Sequence, residues 1–480
     1  MVQSERSRGW AVWAMVVACV YSGGWAEADA GEDRVASERP NILFITSDDH
    51  RWDALGAAGN PAVHTPHLDR LARQGIYFPQ ATTSVSQCLP VRASLLTGLL
   101  SHQHGAYAHQ NQAPRARRPD SFSDLPTVPS LLRGQGYETV LVGKWHLASD
   151  PWKVGFSQTR VWLPTGGEKF KGARLCHGES RERKLVAGFT QEVFADSAID
   201  FLTGEQAQKG PFMLWLAFTA PHGPFAPNPP HIEALYAAKT IAELLPAGFP
   251  TDVEMNDWLH YYEAVSALDE QVGRVLAALD EAGLAESTVV VFFGDNGFMM
   301  GERGIGSRGA AGKVVPYEGS LRVPLIVRAP SQAGFQGTSQ AALSGLDLPP
   351  TMVALSGAEI PTHWPGRNAL PALRQPRVEG FSEAFAEWSD EATERFLPWV
   401  FRAVRTPRHK LILFRDEARG RELYNLEADP REGDNLIRDP AHRATAERLE
   451  KQLRAWMEQH DDPALAWPVL ADEGSAVAGP

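Results

Sequence analysis

Five short, continuous apolar runs punctuate the chain: Asn41–Thr46, Thr139–Val142, Phe212–Phe218, Thr288–Phe293 and Pro324–Val327. Runs this short, without alternation, predict strands buried on both faces, as in a parallel sheet. Between them the apolar period lengthens. Trp258, Tyr261, Val265, Leu268, Val272, Val275 and Leu279 trace one face of a helix, with Gly283 beyond its end. Thr65-Pro66 reads as an N-cap with Pro at the first helical position, and Gly75 as the stop. Strands alternating with helices predict an α/β fold, a large mixed, mostly parallel sheet sandwiched by helices. Such sheets gather their ligands at the carboxyl ends of the strands. Asp48-Asp49, Lys144 with His146, His222 and Asp295-Asn296 all directly follow these runs.

Past about residue 370 the pattern changes. Pro361, Pro365, Pro371 and Pro376 break the chain. Strand-like stretches follow at Phe381–Phe385, Trp399–Arg405 and Lys410–Arg415, then a charged helical stretch at Ala444–Gln459. The expected organisation is a main domain over residues 39–370 and a smaller α+β subdomain with a short antiparallel sheet over 371–465. Residues 466–480 read as a disordered tail. Gly166–Arg183, which contains Cys176, is polar enough for a surface loop or lid. Arg115–Arg118 reads as a solvated basic loop.

The 480 residues carry a formal net charge of −12, which argues against nucleic acid or an anionic membrane as main partner. A local cationic pocket inside an acidic shell can still hold a small anion. Residues 1–30 read as an export signal: Arg6 and Arg8, an apolar stretch Trp10–Tyr21, then small residues through Ala30. That stretch is shorter than the ~20 apolar residues of a membrane span, so no stable span is expected. The product is expected to be periplasmic or secreted. Val16-Val17-Ala18-Cys19 loosely resembles a lipoprotein signal, which leaves an anchor at Cys19 as the alternative. Of the three cysteines, Cys88 and Cys176 would survive signal removal, and an oxidising compartment leaves a disulfide between them as a competing reading.

The polar residues at the strand ends suggest chemistry. Adjacent buried carboxylates at Asp48 and Asp49 need a cation. With Asp295 and the Asn296 amide they form an all-oxygen set that suits calcium or magnesium and not zinc. Singly, each pair could equally be a turn or a helix cap. Cys88 opens the run C-L-P-V-R-A-S-L-L-T-G. Pro90 fits a first helical turn and Gly98 a helix end, so Cys88 would sit at a helix N-terminus, where free N–H groups favour an anion. A small buried Cys before an ordinary helix would read the same way. Lysines can serve as point charges for a small anion, and an imidazole can exchange protons near neutral pH.

The Cys88–Gly98 run resembles the sulfatase signature. Asn41–Asp49, Thr65–Gly75, Gly143–Leu147, Pro221–Pro224, Gly294–Gly297 and Tyr317–Val327 extend the likeness, as do Arg402–Thr406 and Glu422–Leu426 with Asp429-Pro430. The chain is thus similar to type I sulfatases of the alkaline phosphatase superfamily from about residue 39 to about 460. The resemblance implies that a maturation enzyme oxidises Cys88 to formylglycine, the nucleophile, before folding. It implies one calcium on Asp48, Asp49, Asp295, Asn296 and an oxygen of the modified Cys88. Arg92 would orient the formylglycine hydrate, and Lys144 and Lys313 would hold the sulfate. His222 would protonate the leaving oxygen, and His146 would assist breakdown of the sulfated intermediate. The expected substrate is a sulfate ester on a carbohydrate. A phosphodiester or phosphonate monoester is the alternative of the same superfamily, and a non-catalytic exported binding protein the third reading. Gly301-Glu302-Arg303-Gly304 departs from the family's Gly-Glu-His-Gly run, so Arg303 and Arg308 compete with Lys313 for the second charge. His50, Arg51, Trp52, His102 and His104 lie near motif ends and could touch substrate or pack internally.

Overall fold

The computed structural model describes residues 39–107, 122–250, 253–306, 312–330, 336–375, 378–389 and 398–471. The export signal, Cys19, Arg115–Arg118, Arg308 and the last nine residues lie outside the described residues. Ten strands form one sheet. They are β1 (Asn41–Asp48), β2 (Ile76–Tyr77), β3 (Glu138–Lys144), β4 (Gln158–Leu163) and β5 (Arg174–His177), followed by β6 (Lys184–Leu185), β7 (Phe212–Pro221), β8 (Thr288–Gly294), β9 (Leu325–Arg328) and β10 (Gly337–Thr338). Their order across the sheet is β10-β2-β9-β8-β1-β7-β3-β4-β5-β6.

β1 lies at the centre, parallel to β7 on one side and β8 on the other, and β3 and β4 continue the parallel set. Its side chains alternate between two cores. Ile42 and Phe44 enter one, Leu43 and Ile45 the other, and all four are fully buried. A strand buried on both faces has no position for a polar residue, hence the unbroken apolar run. On the Leu43 face pack α1 (Pro66–Gln74), α3 (Thr190–Leu202) and α4 (Met255–Glu281); on the Ile42 face packs α2 (Cys88–Thr97). The large sheet is therefore mixed: the Pro324–Val327 run forms β9, which pairs antiparallel to β8. Gly294 N–H donates to Pro324 O at 3.0 Å, so the chain turns back along its own strand and needs no crossover.

The Gly166–Arg183 stretch is not wholly a loop. It contains β5, which pairs antiparallel with β4 and buries Leu175 and Cys176. Cys88 and Cys176 are both free. The C-terminal part carries an antiparallel four-stranded sheet of β11 (Ala384–Trp388), β12 (Phe401–Arg405), β13 (His409–Phe414) and β14 (Arg421–Asn425), with α5 (Arg443–Gln459) packed on it. The first of these strands begins three residues later than its sequence pattern, which starts at Phe381. Buried Glu318, in a short helix ahead of β9, ties the main domain to the smaller sheet, pairing with Arg405 of β12 at 2.8 Å and Lys410 of β13 at 3.1 Å. The described residues from Pro40 onward belong to one compact unit. Among the described residues, no helix is long and apolar enough to cross a membrane.

Candidate active site

Gln87 is extended and α2 begins at Cys88, with Pro90 in its first turn. Gly98 ends the helix in the left-handed conformation, φ 69°, and its N–H closes on Ser94 O. A side chain there would also collide with the Trp364 ring. One helical turn separates Cys88 from Arg92, and both are buried. Burial pushes the Cys88 thiol up, against the pull of Lys144 and Lys313.

Neighbouring strand ends bring the acidic groups together. Ser47 of β1 stands beside Gly294 of β8, and Asp295 N–H donates to Ser47 O at 2.9 Å. Asp48, Asp49, Asp295 and Asn296 thus converge, each no more than 2% exposed. Asp49 makes the turn out of β1 with φ 61°, in the left-handed region where Asp is one of the better-tolerated residues. Three cations meet these three carboxylates. Lys144, at the end of β3, pairs with Asp48. Arg92 Nε donates to Asp295 Oδ2 at 3.0 Å, and its Nη1 to Lys144 O at 2.7 Å. Lys313 Nζ donates to Asp49 Oδ1 at 2.8 Å and lies 3.6 Å from Cys88 Sγ. Burial alone would raise Asp48, but Lys144, His222, Lys313 and Arg92 together hold it well below the usual carboxylate range. Burial opposes the charge on Lys313, yet Asp49, Cys88 and Asp48 hold it above the usual lysine range.

The acidic set retains unused capacity. Asp48 Oδ1 and Asn296 Oδ1 are buried and accept no hydrogen bond. Asp295 is pushed up to about 7, first by burial and then by the charge on Asp48, despite Arg92. Unpaired buried oxygens are costly unless a cation takes them, and these donors are hard oxygens on two strand ends. The residues fit a hard divalent cation.

Two histidines border this centre. His222 Nε2 lies 3.8 Å from Asp49 Oδ2, and its Nδ1 donates to Gly223 O at 2.9 Å. A carbonyl can only accept, so Nδ1 keeps its hydrogen and Nε2 is the atom that exchanges a proton. Burial lowers the His222 pKa, while Asp48 and Asp49 pull it back up. His146 leaves β3 in the left-handed region, φ 63°. The start of the Gly166–Arg183 stretch, expected from its polarity to be a surface loop or lid, packs over both rings. A Cβ on Gly166 would lie 2.6 Å from His146 Nε2, and one on Gly167 would lie 3.2 Å from His222 Cε1. The available signal was the Pro164-Thr165-Gly166-Gly167 turn sequence directly after β4.

The sulfatase family model matches residues 40–358, and a second, described as N-sulphoglucosamine sulphohydrolase, C-terminal, matches residues 306–459. The chain belongs to the sulfatase family. It is a type I sulfatase of the alkaline phosphatase superfamily, and so a sulfuric ester hydrolase. An N-acetylglucosamine-6-O-sulfatase of Bacteroides thetaiotaomicron is 26% identical, with 90% of this chain and 89% of that protein covered. An N-acetylgalactosamine-6-sulfatase of Sus scrofa is 31% identical over 72% of this chain and 67% of its own length. Among solved structures, BT4656 in complex with its substrate D-glucosamine-2-N,6-O-disulfate superposes with a TM-score of 0.76 at 25% identity, covering 89% of this chain and 99% of the other.

Within this sulfatase, Arg303 is engaged by two tyrosines. Its guanidinium stacks on Tyr317 at 4.1 Å and donates to Tyr424 Oη at 3.2 Å. The residues near motif ends take packing roles. His50 is held by Ser47 Oγ and Ala54 O. Arg51 is fully buried against Asp53, Glu302 and the carbonyls of Phe298 and Met299. Trp52 lies under the Arg322 guanidinium at 3.8 Å. His102 pairs with Glu387 at 2.7 Å, and His104 with Ser94 at 3.1 Å.

Proposed function

We propose that this sulfatase removes a sulfate ester from a carbohydrate, with a formylglycine derived from Cys88 as nucleophile and one calcium ion. The observation that carries the reading is the approach of Lys313 Nζ to 3.6 Å from buried Cys88 Sγ, while the same amine donates to Asp49 in the buried carboxylate group. The sugar assignment draws on the amino-sugar sulfatases among its relatives. Asp48, Asp49, Asp295 and Asn296 would hold the calcium, along with an oxygen of the modified Cys88. When bound, the ion offsets sulfate charge, and the formylglycine hydrate supplies the attacking oxygen.

The chain's own residues do the rest. Lys144 and Lys313 hold sulfate oxygens, exchanging part of their pairing with Asp48 and Asp49. Arg92 keeps Asp295 and the start of α2 in register. His222 Nε2 gives a proton to the alcohol oxygen as the sulfur–oxygen bond breaks, so that a neutral alcohol leaves. His146 acts after the alcohol has departed, in the release of inorganic sulfate. Cys88 is fully buried in the folded chain, so the maturation enzyme would act before folding. Export through residues 1–30 provides access to polymeric substrates outside the cell.

The test is production with a formylglycine-generating enzyme and mass analysis of the Cys88 peptide. Loss of thiol mass, together with turnover of a sulfate ester that Cys88→Ala abolishes without unfolding, is the expected result. Full activity in Cys88→Ala overturns the mechanism. Faster hydrolysis of a phosphodiester than of a sulfate ester would move the chain to the phosphodiesterase reading. A solved phosphonate monoester hydrolase of Agrobacterium radiobacter shares the fold, with a TM-score of 0.66 at 23% identity.

A further inference from the structure

The loop over the two histidines runs on into a ribbon that the site chemistry leaves unused. Residues 168–189 double back as β5 and β6, forming an outer edge of the large sheet. Cations on an exposed edge commonly guard it against pairing with another strand. Two observations go beyond that role. The first is charge. In a chain of net charge −12, residues 168–184 hold six Lys and Arg against three Glu. Arg181, Arg183 and Lys184 pair with Asp150, Glu168 and Glu182. Lys169, Lys171 and Arg174 are exposed and make no ion pair among the described residues; Lys171 lies over the Phe189 ring at 5.0 Å, and Arg174 donates to Arg183 O at 2.9 Å. Nearby Leu185, 71% exposed, is the most exposed large hydrophobic residue described.

The second is continuity with the site. Gly167, against His222, is followed by Glu168 and Lys169. His222 faces the departing alcohol in the proposed reaction, so its position marks where the remainder of the substrate lies. A glycan extending from that oxygen meets the start of the ribbon.

We propose that the Glu168–Leu185 ribbon binds further sulfated sugar units on the leaving-group side of the site. The ligand is a polysulfated polysaccharide. Exposed cations with no carboxylate partner, set at intervals along the ribbon, match repeated sulfate groups, and Leu185 offers apolar contact to a sugar ring. This rests on the sulfatase reading and deepens it: the enzyme works on sulfated chains in preference to single sugars.

The test compares the mature wild-type enzyme with a Lys169→Glu/Lys171→Glu/Arg174→Glu variant. Dextran sulfate is the binding probe and 4-nitrophenyl sulfate the small substrate. Wild type is expected to bind dextran sulfate, more weakly as salt rises. The triple variant loses about ten-fold or more in affinity at low ionic strength, where exposed charges are least screened. Its turnover of 4-nitrophenyl sulfate stays within about two-fold, since small-substrate chemistry needs no surface charge steering. Unchanged affinity in the variant overturns the surface. Tighter wild-type binding to duplex DNA or to phosphatidylglycerol vesicles than to dextran sulfate overturns the choice of partner. The two readings fail separately, since absence of wild-type aryl sulfate turnover overturns the hydrolase and leaves the affinity measurement intact.

Discussion

Lys313 Nζ lies 3.6 Å from Cys88 Sγ, although 225 positions separate the two residues. Arg303, the rival for the same charge, stacks on Tyr317 instead. Lys313→Ala is expected to lower kcat/KM for a sulfate ester by about 10² or more, the scale of losing a preorganised charge at a reacting centre. Arg303→Ala should change kcat/KM less than about three-fold and lower Tm by removing the stack. Steady-state kinetics on both variants decides the matter. A larger loss at Arg303 would move the sulfate contact there.

The unpaired Asp48 and Asn296 oxygens make metal removal informative. Calcium at 100 times its Kd would stabilise the fold by about 2.7 kcal/mol. Chelation is therefore expected to lower Tm and abolish activity together, with calcium restoring both. Asn296→Ala should need more calcium for the same Tm gain. Elemental analysis finding zinc, or full activity after chelation, would contradict this assignment.

His222 and His146 flank the same centre with different expected duties. An activated aryl sulfate releases a stable phenolate and needs little proton donation, whereas a sugar alkoxide needs it strongly. His222→Ala is expected to reduce sugar-sulfate turnover about 10²-fold more than nitrophenyl-sulfate turnover. His146→Ala should slow both substrates equally. Equal ratios in the two variants would refute this division of labour.

His104 gives the fold a pH dependence of known sign. Ala106 N–H donates to its Nδ1, so Nε2 carries the hydrogen towards Ser94 and the buried ring is neutral. Burial lowers its pKa from 6.5 to about 4, against the pull of Glu387. The unfolded chain takes up the proton first, so this stability is present above pH 6.5 and is lost as pH falls towards 4. At about 1.4 kcal/mol per unit, the contribution is at most about 3.5 kcal/mol. His104→Gln should lower Tm at pH 7 yet flatten its decline between pH 6.5 and 4. A decline as steep as that of wild type would remove His104 as the cause.

Much of the sheet was legible because local pattern encodes it. A strand covered on both faces must be apolar throughout, so the cores of β1, β3, β7 and β8 could be read directly. Helix α4 and the start of α2 followed from apolar period and from Pro90 and Gly98. Strand ends at one edge of such a sheet collect polar groups, which placed Asp48, Asp49, Lys144, His222 and Asp295 near one another in expectation.

What the sequence determined by itself was therefore the type and approximate place of most elements and the residues offered at their ends. Which groups meet was decided only by tertiary structure. Lys313 and Arg303 carry the same charge ten positions apart, and only packing sends one to Cys88 and the other to Tyr317. His50, Arg51 and His104 resemble site residues until burial shows them hydrogen-bonded inside. The antiparallel direction of β9 and the burial of Cys176 in β5 likewise depend on partner strands. The physical reason is one of range. Periodicity and turn chemistry act between residues a few positions apart, whereas ion pairing, desolvation and the fit of Gly166 against His146 arise between segments the fold alone brings into contact.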